Sequence, residues 1–260
     1  MNRWHRWLFA AVLTMTMGPA HAATDYTDTW WNPAEAGWGI NFTQANHFVF
    51  ATFYIYGPDG KATWLTASMQ RDGTGERFTG ALYRVSGTWF GAPVWQGGQS
   101  TPAGTASFTA NSAYDGTLVY SVDGLEITKS IQRLTLPPLN VAGYYRGAVA
   151  GTRSGCEDSG SFTDSMDIEV LHSPTTGELR ITQLWPSDGH LVCRMEGTTV
   201  QYGKLLLANN ASYACPNAGW NHPARIYNIR TTPTGFEAQW FSDGGNGCTE
   251  TGDLSGVFFR

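Results

Sequence analysis

Catalysis needs groups that trade protons or electron pairs at short range, and this chain offers few such sets. Beyond residue 22 its histidines are His47, His172, His190 and His222, scattered and outside any H-E-x-x-H pattern. No G-x-S-x-G turn presents a serine nucleophile. Acidic pairs such as Glu157/Asp158 and Asp164/Asp167 could serve glycosidase chemistry, but the spacing singles out no acid–base pair. Asp243-Gly244-Gly245-Asn246-Gly247 imitates a calcium loop yet lacks a bidentate acid at the right offset, so it reads as a turn. The expectation is a protein without cofactor or metal, leaning away from enzymatic function.

Recognition chemistry is better supplied. Trp30-Trp31-Asn32-Pro33-Ala34-Glu35-Ala36-Gly37-Trp38-Gly39-Ile40-Asn41-Phe42 sets three tryptophans among glycines, and the aromatic run Phe48 to Tyr56 follows it. Indole and phenol rings offer flat apolar faces with a polar tip, the surface on which a sugar or an apolar small molecule stacks. Candidate ligand-binding residues are Trp30, Trp31, Trp38, Tyr54, Trp64, Trp89 and Trp95. The competing reading makes the same rings the seam of a barrel core. Trp89, Phe90 and Trp95 lie on a glycine-rich stretch, Ser86 to Gly104, that acts either as a binding loop or as a plug folded over a barrel end.

One polar set belongs to the same half. Lys129 and Arg133 alternate with Ile127 and Ile131 on an apolar strand face, where an unpaired ammonium would cost several kcal/mol, roughly. Glu35 is the natural partner for Lys129, while Glu126 faces the other way. Two readings follow. Either Lys129 and Glu35 form an ion pair with Arg133 reaching water at the strand end, or the cations make an anion site inside a barrel.

The elements that must position these residues read as strands. Gly57-Pro58-Asp59-Gly60 is a hairpin signal between Phe48–Tyr56 and Ala62–Met69, and Asp72-Gly73, Asp115-Gly116 and Asp123-Gly124 mark further turns. Leu125, Ile127 and Ile131 alternate with polar residues at period two. On Phe48–Tyr56 both faces are largely apolar, which predicts cover on both sides. Later strands are expected at Met166–Val170, Glu178–Leu184, Gly203–Ala208, Arg225–Arg230, Gly235–Phe241 and Gly252–Phe259. The outer segments Gly143–Gly147 and Gly256–Phe259 are placed to zip together and remove exposed edges.

Arg3 and Arg6, the apolar Leu8 to Met17 and Ala20-His21-Ala22 make residues 1–22 a cleavable signal peptide. Its loss leaves 14 basic against 21 acidic side chains, a formal charge of −7. That balance argues against nucleic acid and against anionic membrane surfaces. No other apolar run approaches the length of a membrane span, so no membrane insertion is expected. The four cysteines, Cys156, Cys193, Cys215 and Cys248, lack zinc-site spacing and imply two disulfides in an oxidising compartment. Three pairings are open. Cys193–Cys215 with Cys156–Cys248 is favoured, because the first pair flanks a hairpin-like stretch and the second ties the opening strand of its half to the closing one.

Leu136-Pro137-Pro138-Leu139-Asn140 separates the halves, since paired prolines cannot sit in a central strand. The expected organisation is a signal peptide (1–22), a tryptophan-rich β domain (23–136), a proline-containing linker (137–142) and a disulfide-bearing β domain (143–260). The fold class is all-β: two tandem small antiparallel barrels or curled meanders.

Trp30-Trp31-Asn32-Pro33, Gly37-Trp38-Gly39-Ile40-Asn41, Gly57-Pro58-Asp59-Gly60-Lys61 and Trp64 together resemble a module common in exported proteobacterial proteins. The likeness continues through Gly80-Ala81-Leu82-Tyr83, Gly87-Thr88-Trp89-Phe90-Gly91, Gly104-Thr105-Ala106 and Val122-Asp123-Gly124 to Lys129-Ser130-Ile131-Gln132-Arg133, so it covers about residues 25–135. The second half is similar to a disulfide-bearing companion domain through Ser154-Gly155-Cys156, Tyr213-Ala214-Cys215 and Gly247-Cys248. The resemblance implies export and modularity, and no mechanism.

The functional expectation is thus an exported, periplasmic or extracellular, non-enzymatic binding or accessory protein whose partner is a glycan or small apolar ligand. A carboxylate-dependent polysaccharide hydrolase or lyase, and a structural or protein-interaction component of the envelope, are the alternatives.

Overall fold

The computed structural model describes residues 24–73, 75–187 and 189–259. The leader expected over residues 1–22 lies outside them. The described chain is built of antiparallel strands, with a single 3-10 turn at Pro216–Ala218. No helix among the described residues is long and apolar enough to cross a membrane.

The first eight strands are β1 (Asp28–Trp31), β2 (Gly39–Ala45), β3 (Phe48–Tyr56), β4 (Ala62–Arg71), β5 (Arg77–Gly87), β6 (Gly98–Ala110), β7 (Asp115–Val122) and β8 (Leu125–Arg133). Each pairs with the next, and β1 returns to β8 through Trp30↔Arg133 and Trp31↔Gln132, closing a meander barrel. Closure leaves no free edge. The turns are those the residue types demand: Asp123 (φ 51°) and Gly124 (φ 83°) both take positive φ, as a two-residue hairpin loop requires.

Alternation then sorts the side chains. Val49, Ala51 and Phe53 of β3 point inward with Ile40, Phe42, Leu65, Phe78, Phe108 and Leu118, all fully buried. The centre is aromatic: Trp30 lies 5.2 Å from Phe108 and 5.7 Å from Phe42, ring centre to ring centre. The barrel is therefore filled, which moves any ligand to its ends or its outer wall. Small residues permit this curvature. At Gly80 a Cβ would sit 1.9 Å from the Ser68 carbonyl oxygen of the neighbouring strand, so no larger residue fits there.

The expected cover on both faces of Phe48–Tyr56 is corrected here. Its inner face is core, but Phe50, Tyr54 and Tyr56 stand exposed on the outer wall. A run apolar on both faces signalled burial; in fact one of its faces is a bare aromatic surface.

The second barrel comprises β9 (Gly143–Ser154), β10 (Gly160–His172), β11 (Glu178–Leu184), β12 (Leu191–Thr198), β13 (Val200–Tyr202), β14 (Leu205–Cys215), β15 (Trp220–Thr232), β16 (Gly235–Gly245) and β17 (Cys248–Phe258). Its ring runs β9-β10-β11-β12-β14-β15-β16-β17, with β13 an extra short strand on β14. β17 zips to β9 from Thr249↔Ser154 to Phe258↔Tyr145. Disulfides join Cys156 to Cys248 and Cys193 to Cys215. Both bridges lie at one end of this barrel and fit a non-cytoplasmic, oxidising compartment.

The barrels are joined at the opposite end. Gln201 ties down the proline-containing segment, its Nε2 donating to the Pro137 carbonyl (2.9 Å) while its Oε1 accepts from Leu139 N–H (2.9 Å). Tyr114 packs with Leu205 and Leu207, and its hydroxyl accepts the Asn228 N–H at 2.7 Å.

Candidate functional site

The end of the first barrel away from that junction gathers the loops 32–38, 57–61, 88–97 and 123–124. On β3 and β4 the cross-strand pair Tyr54↔Trp64 points outward, and Tyr56 follows two residues on. All three rings are between 54 and 58% exposed. With Gly37 and Thr63 they line an open groove of about 260 Å³. Gly37 takes φ 112°, and the Tyr56 hydroxyl oxygen lies 3.8 Å from where its Cβ would stand, so a bare backbone forms that wall. The groove offers aromatic faces, two phenol hydroxyls and one threonine hydroxyl.

The loop 88–97 rises beside it. Thr88 fastens its neck: Thr88 N–H donates to the Gly97 carbonyl at 3.2 Å, and Thr88 Oγ1 accepts the Gln96 N–H at 2.9 Å. Gly91 lies under the Trp89 ring, where a Cβ would approach within 2.5 Å. Trp89 and Trp95 are nonetheless 69% and 68% exposed, and Phe90 91%. A plug would bury them, so the loop does not close the barrel end.

Just inside the rim, Glu35 Oε2 accepts from Lys129 Nζ at 2.6 Å and from Trp38 Nε1 at 3.1 Å. The Lys129 ammonium also lies 5.8 Å from the Trp38 ring centre. The hydrogen bond from Lys129, with a smaller one from Trp38, holds the Glu35 carboxyl below its usual value. Arg84 and Asp123 make a second rim pair at 2.7 Å. Lys129 therefore has its charge balanced locally.

The structure divides the remaining candidates. Trp30 is a correction: it is completely buried, its Nε1 donates to the Tyr26 carbonyl at 3.0 Å, and no ligand can reach it. In the doublet Trp30-Trp31 alternation sends the first ring inward, leaving Trp31 half-buried with its Nε1 unbonded. Trp38 is half-buried and packs against the core from the rim. Arg133 is a second correction. It does not reach water at the strand end, nor does it join Lys129; its side chain is wholly buried at the junction end, paired with Asp28 at 3.0 Å. Its other donors go to the carbonyls of Ala113 (2.7 Å) and Asp25 (2.6 Å), and it stacks over Trp30 at 4.9 Å. Burial lowers its pKa, with Asp28 offsetting part of that shift.

The structure therefore brings Tyr54 and Trp64 together, adds Tyr56 and Gly37 to them, and leaves Trp89 and Trp95 on a separate neighbouring loop. Tyr56 was legible as the next outward position of the same alternation. Among the described residues no group of three or more histidine, cysteine or acidic side chains is placed to hold a metal. Comparison of the chain with protein families, curated proteins and solved structures returns no match.

Proposed function

We propose that this chain is an exported binding module, periplasmic or extracellular, that holds a glycan or another ligand with apolar faces on the outer wall of its first barrel. The observation that carries the reading is the exposed Tyr54–Trp64–Tyr56 surface beside the bare Gly37 backbone. Three large rings left in water on a closed barrel are poorly explained by folding, because the core is complete without them. The two tyrosine hydroxyls and the Trp64 indole N–H supply the polar contacts a sugar needs, and the filled interior leaves the barrel's ends and outer wall as the accessible surface.

Titration with soluble fragments of envelope polysaccharides and with small lipophiles, followed by tryptophan fluorescence, tests the reading. Trp64→Ala and Tyr54→Ala should each weaken binding about tenfold, the scale of one lost aromatic stacking contact of about 1.4 kcal/mol. Absence of binding across the panel, or affinity unmoved by either substitution, would sink it.

A further inference from the structure

The far mouth of the second barrel holds a different kind of cavity. Between the ends of β9, β15, β16 and β17 lies a cleft of about 490 Å³, lined by Arg153, Glu157, Asp158, Trp220, His222 and Asn246 among others. That volume falls within the range of small-molecule sites, about 300–1,000 Å³.

Its floor is polar and closely bonded. Arg153 is held between two rings, 4.3 Å from the Trp220 centre and 4.9 Å from Phe162. Its Nε donates to Glu250 at 2.7 Å and its Nη1 to Asp158 at 2.6 Å. Glu250 is 3% exposed and also accepts from Trp240 Nε1 at 3.3 Å. The rim is stapled by Cys156–Cys248, and Gly155 sits so close to Gly247 that a Cβ there would meet its carbonyl oxygen at 2.2 Å.

Several groups remain unspent. Arg153 uses two of its three nitrogens, and Nη2 bonds no described protein atom. Neither ring nitrogen of His222 hydrogen-bonds a described residue, although its ring lies 5.8 Å from Trp220. Asp158 has a second oxygen free, and Glu157 stands beside it. Donors, acceptors and an indole thus converge on one preorganised cleft.

We infer that this cleft is a saccharide site, one that takes a neutral or amino-bearing sugar and rejects a polyanionic one. A pyranose ring presents both donors and acceptors at its edge and C–H groups on its faces, matching the mixture of free groups around Trp220. Asp158 and the buried Glu250 both pair with the single guanidinium of Arg153, and Glu157 also lines the cleft, so carboxylates outnumber the guanidinium there. Uronate or phosphate groups would meet like charge there. The site is separate from the Tyr54–Trp64 groove and does not depend on it.

The full chain lacking residues 1–22 should be titrated with a neutral gluco-oligosaccharide, an oligomer of deacetylated amino sugar and an oligogalacturonate, following the His222 ring resonances by NMR. The neutral and amino oligomers should shift those resonances and oligogalacturonate should not. Trp220→Ala, read on the same His222 resonances, and His222→Ala, a second variant that spares the core and is read by calorimetry because it removes that probe, should each weaken binding tenfold or more. The inference is overturned if neither of the first two probes moves His222 in the unmutated chain, if oligogalacturonate binds more tightly, or if Trp220→Ala leaves the affinity unmoved.

Discussion

Arg133 shows what one residue can be asked to do in a small barrel. A guanidinium removed from water is tolerable only when its donors are answered, and here Asp28 and the carbonyls of Ala113 and Asp25 answer them. Asp28 Oδ2 also accepts the Lys204 N–H at 3.2 Å, so the same carboxylate reaches into the second barrel. Asp28→Ala strands the cation. It should lower the free energy of unfolding by about 3–5 kcal/mol, read from urea denaturation. Period-two alternation placed Arg133 on the inner face, but its partner lies 105 residues away, and no local pattern discloses that. Lys129 was easier to read, because Glu35 sits inside a motif already marked by its tryptophans. Trp30 was harder: adjacent tryptophans on a four-residue strand look equivalent until the register with β8 decides which one turns inward.

At the scale of elements the sequence was most legible where turn chemistry and alternation agree. β3 and β11 follow from their flanking turns, and the meeting of β9 with β17 follows from the glycine and aromatic pattern at the two ends of that half. The cleft of the second barrel was not legible, because Arg153, Trp220 and Glu250 come from three strands and are each unremarkable alone. In retrospect a signal was available: Arg153 and Glu250 occupy inward positions in step with Val149 and Leu254, where a charge needs a partner. Strand contacts also set a tolerance. A Cβ at Gly147 would stand 1.8 Å from the Ser255 carbonyl, whereas at Gly75 it meets nothing within 4 Å. Gly147→Ala should therefore cost about 1–3 kcal/mol or more by forcing β9 from β17, while Gly75→Ala is near neutral, both measured by chemical denaturation.

For the molecule as a whole, the covalent staples are distributed unequally. The Cys156–Cys248 bridge spans 92 residues and Cys193–Cys215 spans 22, and both are in the second barrel. On the chain-entropy model these loops correspond to about 4.5 and 3.5 kcal/mol. The first barrel contains no cysteine and relies on its aromatic core. Under reducing conditions, hydrogen exchange should accelerate across residues 143–259 and stay slow in the strands of residues 28–133. Uniform loss of protection in both halves would contradict this division.

The junction has a consequence at that same scale. Tyr114, Arg133 and the segment pinned by Gln201 fasten the barrels at one end of each, leaving both mouths a strand length away from the contact. On the proposed sugar-binding reading such an arrangement would act as a caliper. A polymer long enough to touch both mouths would be held twice, with the second contact made at high effective concentration, while a fragment shorter than the gap gains nothing from the pair. If both proposed sites hold sugar, chain length, and not only sugar chemistry, would become something this molecule measures.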